Sequence, residues 1–362
     1  MSLLQQCLLI VCVTAAISSV SGCAGVSSAP SDPRAANAVQ VVEKGSLDPD
    51  VARMGIMRDP SLFAMIWPRT FFGSGHPWYK FTGRPGEIMR LPDGDHFTIP
   101  PDELQPASAS PDASSTCLNP NAWNGNVPPT CDNNGAFRRA YSRPAVNEGI
   151  ALIQLPLVTT MPSPPPKNGD TGYIYIEGWP GPKTTNSEAG LQYSSVNHWY
   201  TLYVKPSTGT GYLSTYHFRA GDLVALGVQA FDEGPYPGSF CSGSTCIDGG
   251  ASDMTPNCQP SGSYVCRDEN LVNDPSWVNN CCIFARMTTM AQTPSNVFND
   301  ASKFGPVPWS GAELCLFISA ANPSSCSLWT AGGYQNWPSD TTRVIVTNFS
   351  STGETDEIDL HQ

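Results

Sequence analysis

Positive charge is scarce in this chain. Lys and Arg number 19 against 31 Asp and Glu in 362 residues, a formal net charge of -12. A surface that binds nucleic acid neutralises phosphates with clustered Lys and Arg, and no dense basic run exists, which argues against a nucleic-acid partner. Histidine is sparse at five, and none of the 13 cysteines forms a Cys-x-x-Cys pair. Zinc sites need that kind of ligand spacing, so neither a metal nor another cofactor is expected. Long hydrophobic runs are missing too, since the apolar stretch from Cys7 to Ile17 is too short to span a bilayer convincingly. Charged residues are only 14 %, while Pro and Gly number 34 and 32. That balance disfavours long helices and favours many short strands joined by turns.

The first 22 residues read as an export signal, an apolar stretch followed by small residues. Val20-Ser21-Gly22-Cys23 has the form of a bacterial lipobox, in which the cysteine carries lipid. No Lys or Arg precedes Arg34, so the usual basic start is missing, and lipidation at Cys23 stands beside plain cleavage nearby. Either route predicts an extracellular or cell-envelope protein that meets a membrane only through a lipid anchor. With Cys7 and Cys12 in the signal and Cys23 set aside, the ten remaining cysteines, 117 to 326, are even in number. Up to five disulfides are therefore expected in an oxidising compartment. Cys281 and Cys282 would point to opposite faces of a strand, so each is expected to pair elsewhere.

Residues 23–48 are rich in Ser, Ala and Pro and read as a tether. Residues 49–149 are expected to form an appendage packed on the main domain, with a short helix and hairpin around "SLFAMIWPRTFF" and "HPWYKF". From 150 to 350 the texture changes to short β-like runs such as "ALIQLPLV", "GYIYIEG", "WYTLYVK" and "DLVALGVQAF". The expected fold is all-β, an antiparallel two-sheet jelly-roll sandwich. Within it, residues 233–280 lack strand pattern and are expected to be a disulfide-pinned loop. Residues 351–362 form an acidic tail.

The ordered runs "YIYIEG" (173–178), "EAGL" (188–191), "WYTLYVKP" (199–206), "FRAGDLVALGVQA" (218–230) and "FGPVPWSGAEL" (304–314) resemble those of the eqolisins, the glutamic peptidases. The resemblance implies a concanavalin-like jelly roll and an acid-active, secreted lineage. It places the family's catalytic glutamine on Glu188 and, through "CIFA", its catalytic glutamate on Ala285. A carboxylate serves there as general base on a water while an amide positions that water, and a methyl group does neither. Gln192 shares a strand face with Glu188, but roughly 13 Å of strand separates them, too far for one bridging water. Arg286 is expected on the opposite face, or as an ion-pair partner of Glu188 if the register slips by one.

The aromatics of this region have two readings, sandwich packing or a stacking platform. Tyr173 and Tyr175 share one face while Ile174 and Ile176 take the other, as an apolar core behind an aromatic front would require. His198 and His217 have no acidic partner at metal-ligand spacing and read as structural. Asn348-Phe349-Ser350 is a glycosylation acceptor only in a eukaryotic secretory route. The expected function is therefore non-catalytic binding of extracellular polysaccharide or polypeptide across Tyr173, Tyr175, Glu188, Gln192, Trp199 and Tyr203. One alternative is an acid endopeptidase that uses Glu188 as its catalytic carboxylate, and another is a structural envelope protein.

Overall fold

The computed structural model describes residues 40–42, 77–83, 87–100, 135–142, 148–157, 171–179, 186–207, 210–231, 246–260, 262–274, 283–291, 302–316, 325–329, 333–337, 342–350 and 353–360. The signal, Cys23, most of the tether, "SLFAMIWPRTFF" and the tail's last two residues lie outside them. The described residues contain strands and no helix.

In chain order the strands are β1 (Gln40–Val42), β2 (Trp78–Phe81), β3 (Ile88–Arg90), β4 (His96–Thr98), β5 (Gly135–Tyr141), β6 (Glu148–Gln154) and β7 (Thr171–Trp179). Next come β8 (Ser187–Tyr193), β9 (Trp199–Lys205), β10 (Gly211–Arg219), β11 (Leu223–Phe231), β12 (Cys246–Asp253) and β13 (Arg267–Asn273). The last are β14 (Ile283–Ala291), β15 (Lys303–Leu316), β16 (Ser325–Leu328), β17 (Gly333–Trp337), β18 (Val344–Thr347) and β19 (Glu354–Asp359). Two antiparallel sheets result. One has nine strands in the order β1-β2-β10-β9-β8-β7-β14-β5-β17, and the other runs β13-β12-β11-β6-β15-β19-β18, with β16 paired to β15. The hairpin β3-β4 belongs to neither.

Strand alternation builds the sandwich. Ile174 and Ile176 of β7, Leu191 of β8, and Leu202 and Val204 of β9 point inward, against Ile153, Val224, Leu226, Val228 and Ile247 of the facing sheet. Gly249 of β12 shows how closely the sheets approach. A Cβ there would lie 2.6 Å from Ala189 Cβ and 2.7 Å from Val204 Cγ2. Gly249→Ala is therefore expected to lower stability by about 1–3 kcal/mol through overpacking, read from the denaturant midpoint.

The other face of the nine-stranded sheet carries a second apolar cluster. Tyr173, Tyr175, Tyr203, Phe137, Leu213 and Met287 pack there against Phe81, Met89, Leu91, Phe97 and Ile99. The segment from Trp78 to Ile99 therefore contributes a strand, β2, paired between β1 and β10, and a hairpin that lies over the aromatic front.

The 233–280 region differs from the loop expected for it, because β12 and β13 extend the second sheet as paired strands. "CIDGGASD" hides its alternation because close sheet approach demands Gly249, and "RDENLVN" spends polar side chains on contacts such as Asp268 with the Ser214 hydroxyl. A disulfide, Cys258–Cys266, ties the β12–β13 connection. The other expected cystine residues lie outside the side chains described.

Candidate functional site

Glu177 of β7 stands directly opposite Glu188 of β8. Like charges in that relation repel, so such a pair persists only with compensation. It comes from three neighbouring positions. Arg139 Nε of β5 lies 2.8 Å from Glu177 Oε1, and Lys205 Nζ of β9 lies 3.8 Å from Glu188 Oε1. The Asn186 amide Nδ2 donates to Glu177 Oε2 at 2.9 Å and to Glu188 Oε2 at 3.2 Å. Sharing one donor, the two carboxylate oxygens are no more than about 6 Å apart.

All five side chains are buried. Two carboxylates and two cations cancel, which is what makes such burial tolerable. Arg139 also lies over Phe137, with Cζ 4.7 Å from the ring centroid, and donates to the Tyr141 hydroxyl at 3.2 Å. Burial works against its charge, but Glu177, Tyr141 and Tyr175 outweigh that and its pKa is raised. Burial, with Glu188 and Glu177 adding, likewise holds the phenols of Tyr175 and Tyr203 well above their usual range. Gly190, between Glu188 and Gln192, leaves room for this packing: a Cβ there would meet Tyr175 Cβ at 2.5 Å and Tyr203 Oη at 2.7 Å.

Chemically the set is an acid and an amide side by side with a second acid. Glu188 has the type of a general base and the Asn186 amide that of a water-positioning or oxyanion-holding donor. Ala285 contributes no functional group of its own. Its Cα pairs with Glu177, so a carboxylate stands one strand away from the position where the family resemblance wants one. Arg286 does not meet Glu188. It faces the sandwich interior, with Cζ 5.7 Å from the Trp329 ring and the carboxylates of Glu354 and Asp356 acting on its charge.

The chain as a whole matches no protein-family model and no curated protein. Among solved structures it is similar to crystal structures of scytalido-glutamic peptidase. One holds a transition state analog inhibitor, at 10% identity and a TM-score of 0.37, covering 62% of this chain and 97% of the peptidase. Another holds a peptide based transition state analog, at 10% identity and a TM-score of 0.33, covering 61% of this chain and 97% of the peptidase.

The front around these residues is covered. Tyr173, Tyr175, Tyr203 and Glu188 have no exposed surface and Gln192 has 4 %. The β3-β4 hairpin and its flanks cover Tyr173, Tyr203 and Gln192, while Tyr264, from residues 233–280, packs edge-on against Trp199. Trp199, half-buried, donates its Nε1 to Asp95 Oδ2 at 2.8 Å and stacks on His217 at 3.8 Å between centroids. Of the six residues expected to bind ligand, Tyr173, Tyr175, Gln192 and Tyr203 pack with the hairpin and its flanks, Trp199 meets it through Asp95, and Glu188 is buried farther along β8 with Asn186 and Lys205.

Both histidines are engaged internally. His198 has a φ of 57° in the tight turn after β8, and its Nδ1 lies 2.8 Å from the Tyr193 hydroxyl. His217 Nδ1 lies 2.7 Å from Thr201 Oγ1, and its Nε2 lies 3.9 Å from Asp93 Oδ2. Burial pushes the His217 imidazole from 6.5 down to about 4, against a smaller upward pull from Asp95. A His whose folded pKa is depressed carries stability present above pH 6.5 and lost as pH falls toward 4. His217→Gln is expected to remove about 3 kcal/mol of that acid-side loss, measured as urea midpoints across the same window.

Four residues of this site escaped the sequence reading. Glu177 had a signal, because the period-two rule that pairs Tyr173 with Tyr175 places it on the same face. Asn186, Arg139 and Lys205 join Glu188 only through strand pairing, which no local pattern announces.

Proposed function

We propose that the chain is an exported, acid-active hydrolase of polypeptides in which Glu188 is the general base. Asn186 and Glu177 complete its centre, and the chain's own β3-β4 hairpin covers the neighbouring Tyr173, Tyr203 and Gln192 in the state described. The observation that carries this reading is the single Asn186 amide bonded to both carboxylates. The combination of acid and amide that the eqolisin resemblance asks for is assembled from Glu188 and Asn186 rather than from Glu188 and position 285. Polypeptide as substrate follows from that resemblance. The test is hydrolysis of a denatured protein at about pH 3.5 to 4, near the ordinary carboxyl range, by the full chain with and without conditions that release the hairpin. Acid-dependent cleavage that vanishes in Glu188→Gln supports the reading.

A second reading is favoured by the Arg139–Glu177 contact and by the complete burial of both glutamates. In it the cluster is a neutral structural network, and the sandwich recognises polypeptide or polysaccharide without chemistry. Saturable binding with no cleavage under any condition that exposes the face identifies that case.

A further inference from the structure

The hairpin over the front is attached in an unusual way. Its strands β3 and β4 bond to each other in register, Met89 opposite Phe97, and to neither large sheet. An isolated two-stranded hairpin is marginal in water, so its place is set by what it docks on. The docking is side chain to backbone. The Thr98 N–H donates to Gln192 Oε1 at 3.1 Å, and Gln192 Nε2 donates to the Thr98 carbonyl at 2.8 Å. The Tyr173 hydroxyl donates to the same carbonyl at 2.7 Å. One carboxamide thus reads both polar groups of one extended residue, the two-point contact that a neighbouring strand would otherwise supply and one that any amino acid except proline can satisfy.

The flanking contacts are selective. Phe97, 1 % exposed, inserts beside Phe81 and Tyr203, with centroids 4.7 and 5.9 Å away. Asp95 anchors the other end, its carboxylate accepting from the Ser194 hydroxyl at 2.7 Å and from the Trp199 indole at 2.8 Å.

We propose that residues 95–99 occupy the front of the sandwich as an intramolecular peptide ligand, and that the site they fill recognises an extended polypeptide with an aromatic side chain at the position of Phe97. The proposal rests on the polypeptide-directed reading of the same face and adds to it a backbone reader, Gln192, and a specificity pocket. Release of the hairpin breaks no bond of either large sheet, so exchange between the chain's own segment and a polypeptide in trans leaves the sandwich intact.

The test uses the full chain carrying Asp95→Ala and Phe97→Ala, which removes the anchor and the inserted ring. The probe is a capped synthetic peptide of the chain's own residues 93–100, DGDHFTIP, alongside the same peptide with alanine in place of phenylalanine. Saturable binding of the first to the folded double variant, at least tenfold tighter than the second and absent in the wild-type chain, is the expected result. A folded double variant that binds neither peptide, or both alike, overturns the proposal. Should the double variant not fold, hydrogen exchange on the wild-type chain decides. The Thr98 and Ile99 amides are expected to exchange at least tenfold faster than those of Leu191 and Gln192, and exchange of all four in one cooperative step overturns the proposal. Peptide binding without acid cleavage leaves this inference standing and removes the hydrolase reading. Cleavage of denatured protein with no preference between the two peptides does the reverse.

Discussion

Arg139→Met is expected to destabilise the fold by about 3–5 kcal/mol, one of the largest single losses available in this chain. The guanidinium is buried against Glu177 at 2.8 Å, and Glu188 stands directly across the strand pair. Removing the cation leaves two glutamates with one lysine 3.8 Å from the second of them. A buried carboxylate without its partner costs far more than the ion pair contributed, because desolvation of the remaining charge is no longer offset. The size of the loss is read from urea midpoints near neutral pH, where both carboxylates of the unfolded chain are ionised. Two controls separate charge from packing. Arg139→Met combined with Glu177→Gln should recover more than half of the loss, since the uncompensated charge goes with the second substitution. Met replaces the Arg139 stem but not the guanidinium that lies over Phe137, so the part of the loss that Glu177→Gln does not recover includes that ring contact.

Glu188→Gln is expected to reduce acid hydrolysis by about 10²–10⁴-fold, the range a positioned general base supplies, with the fold retained. Gln is close to isosteric and still accepts from the Asn186 amide, so the fold survives, although buried Lys205 loses the negative charge it faces at 3.8 Å and some stability goes with it. Asn186→Leu should cost about 10²–10³-fold, as removal of an oxyanion donor does, and should also destabilise, because the two carboxylates then lose their common donor. The two variants differ in a useful way: Glu188→Gln disturbs only the Lys205 contact beside the base, whereas Asn186→Leu removes the donor common to both carboxylates. Glu188→Gln with full activity would show that the chemistry, if present, lies elsewhere.

Much of the architecture was legible because strand alternation is local. "YIYIEG" sorts into Ile174 and Ile176 behind and Tyr173 and Tyr175 in front, and the structure places them so, the isoleucines in the inter-sheet core and the tyrosines in the second cluster. The same rule carried to Glu177 reveals the second carboxylate without any coordinates. What alternation cannot give is the identity of the neighbouring strand. Arg139 reaches Glu177 across β14, which separates β5 from β7 in the sheet, and Lys205 reaches Glu188 from β9. The 78–99 segment was read as an appendage for a related reason. Phe97 and Ile99 show no long run because they cover a face of the sheet without joining its ladder, and Phe81 ends a strand of only four residues. In β12 the physics inverted the signal altogether. Close sheet approach required glycine at position 249, and glycine is among the residues that argue against a strand.

Both readings of this face share the hairpin, and they part on whether chemistry lies beneath it. The most direct measurement is acid cleavage of a denatured protein by the Asp95→Ala, Phe97→Ala chain, compared with the wild-type chain and with the same double variant carrying Glu188→Gln. Cleavage that rises when the hairpin is released and disappears with Glu188→Gln is the predicted result. A folded, hairpin-released chain that cleaves nothing, or that cleaves equally well with glutamine at position 188, contradicts the assignment of Glu188, Asn186 and Glu177 as a hydrolytic centre.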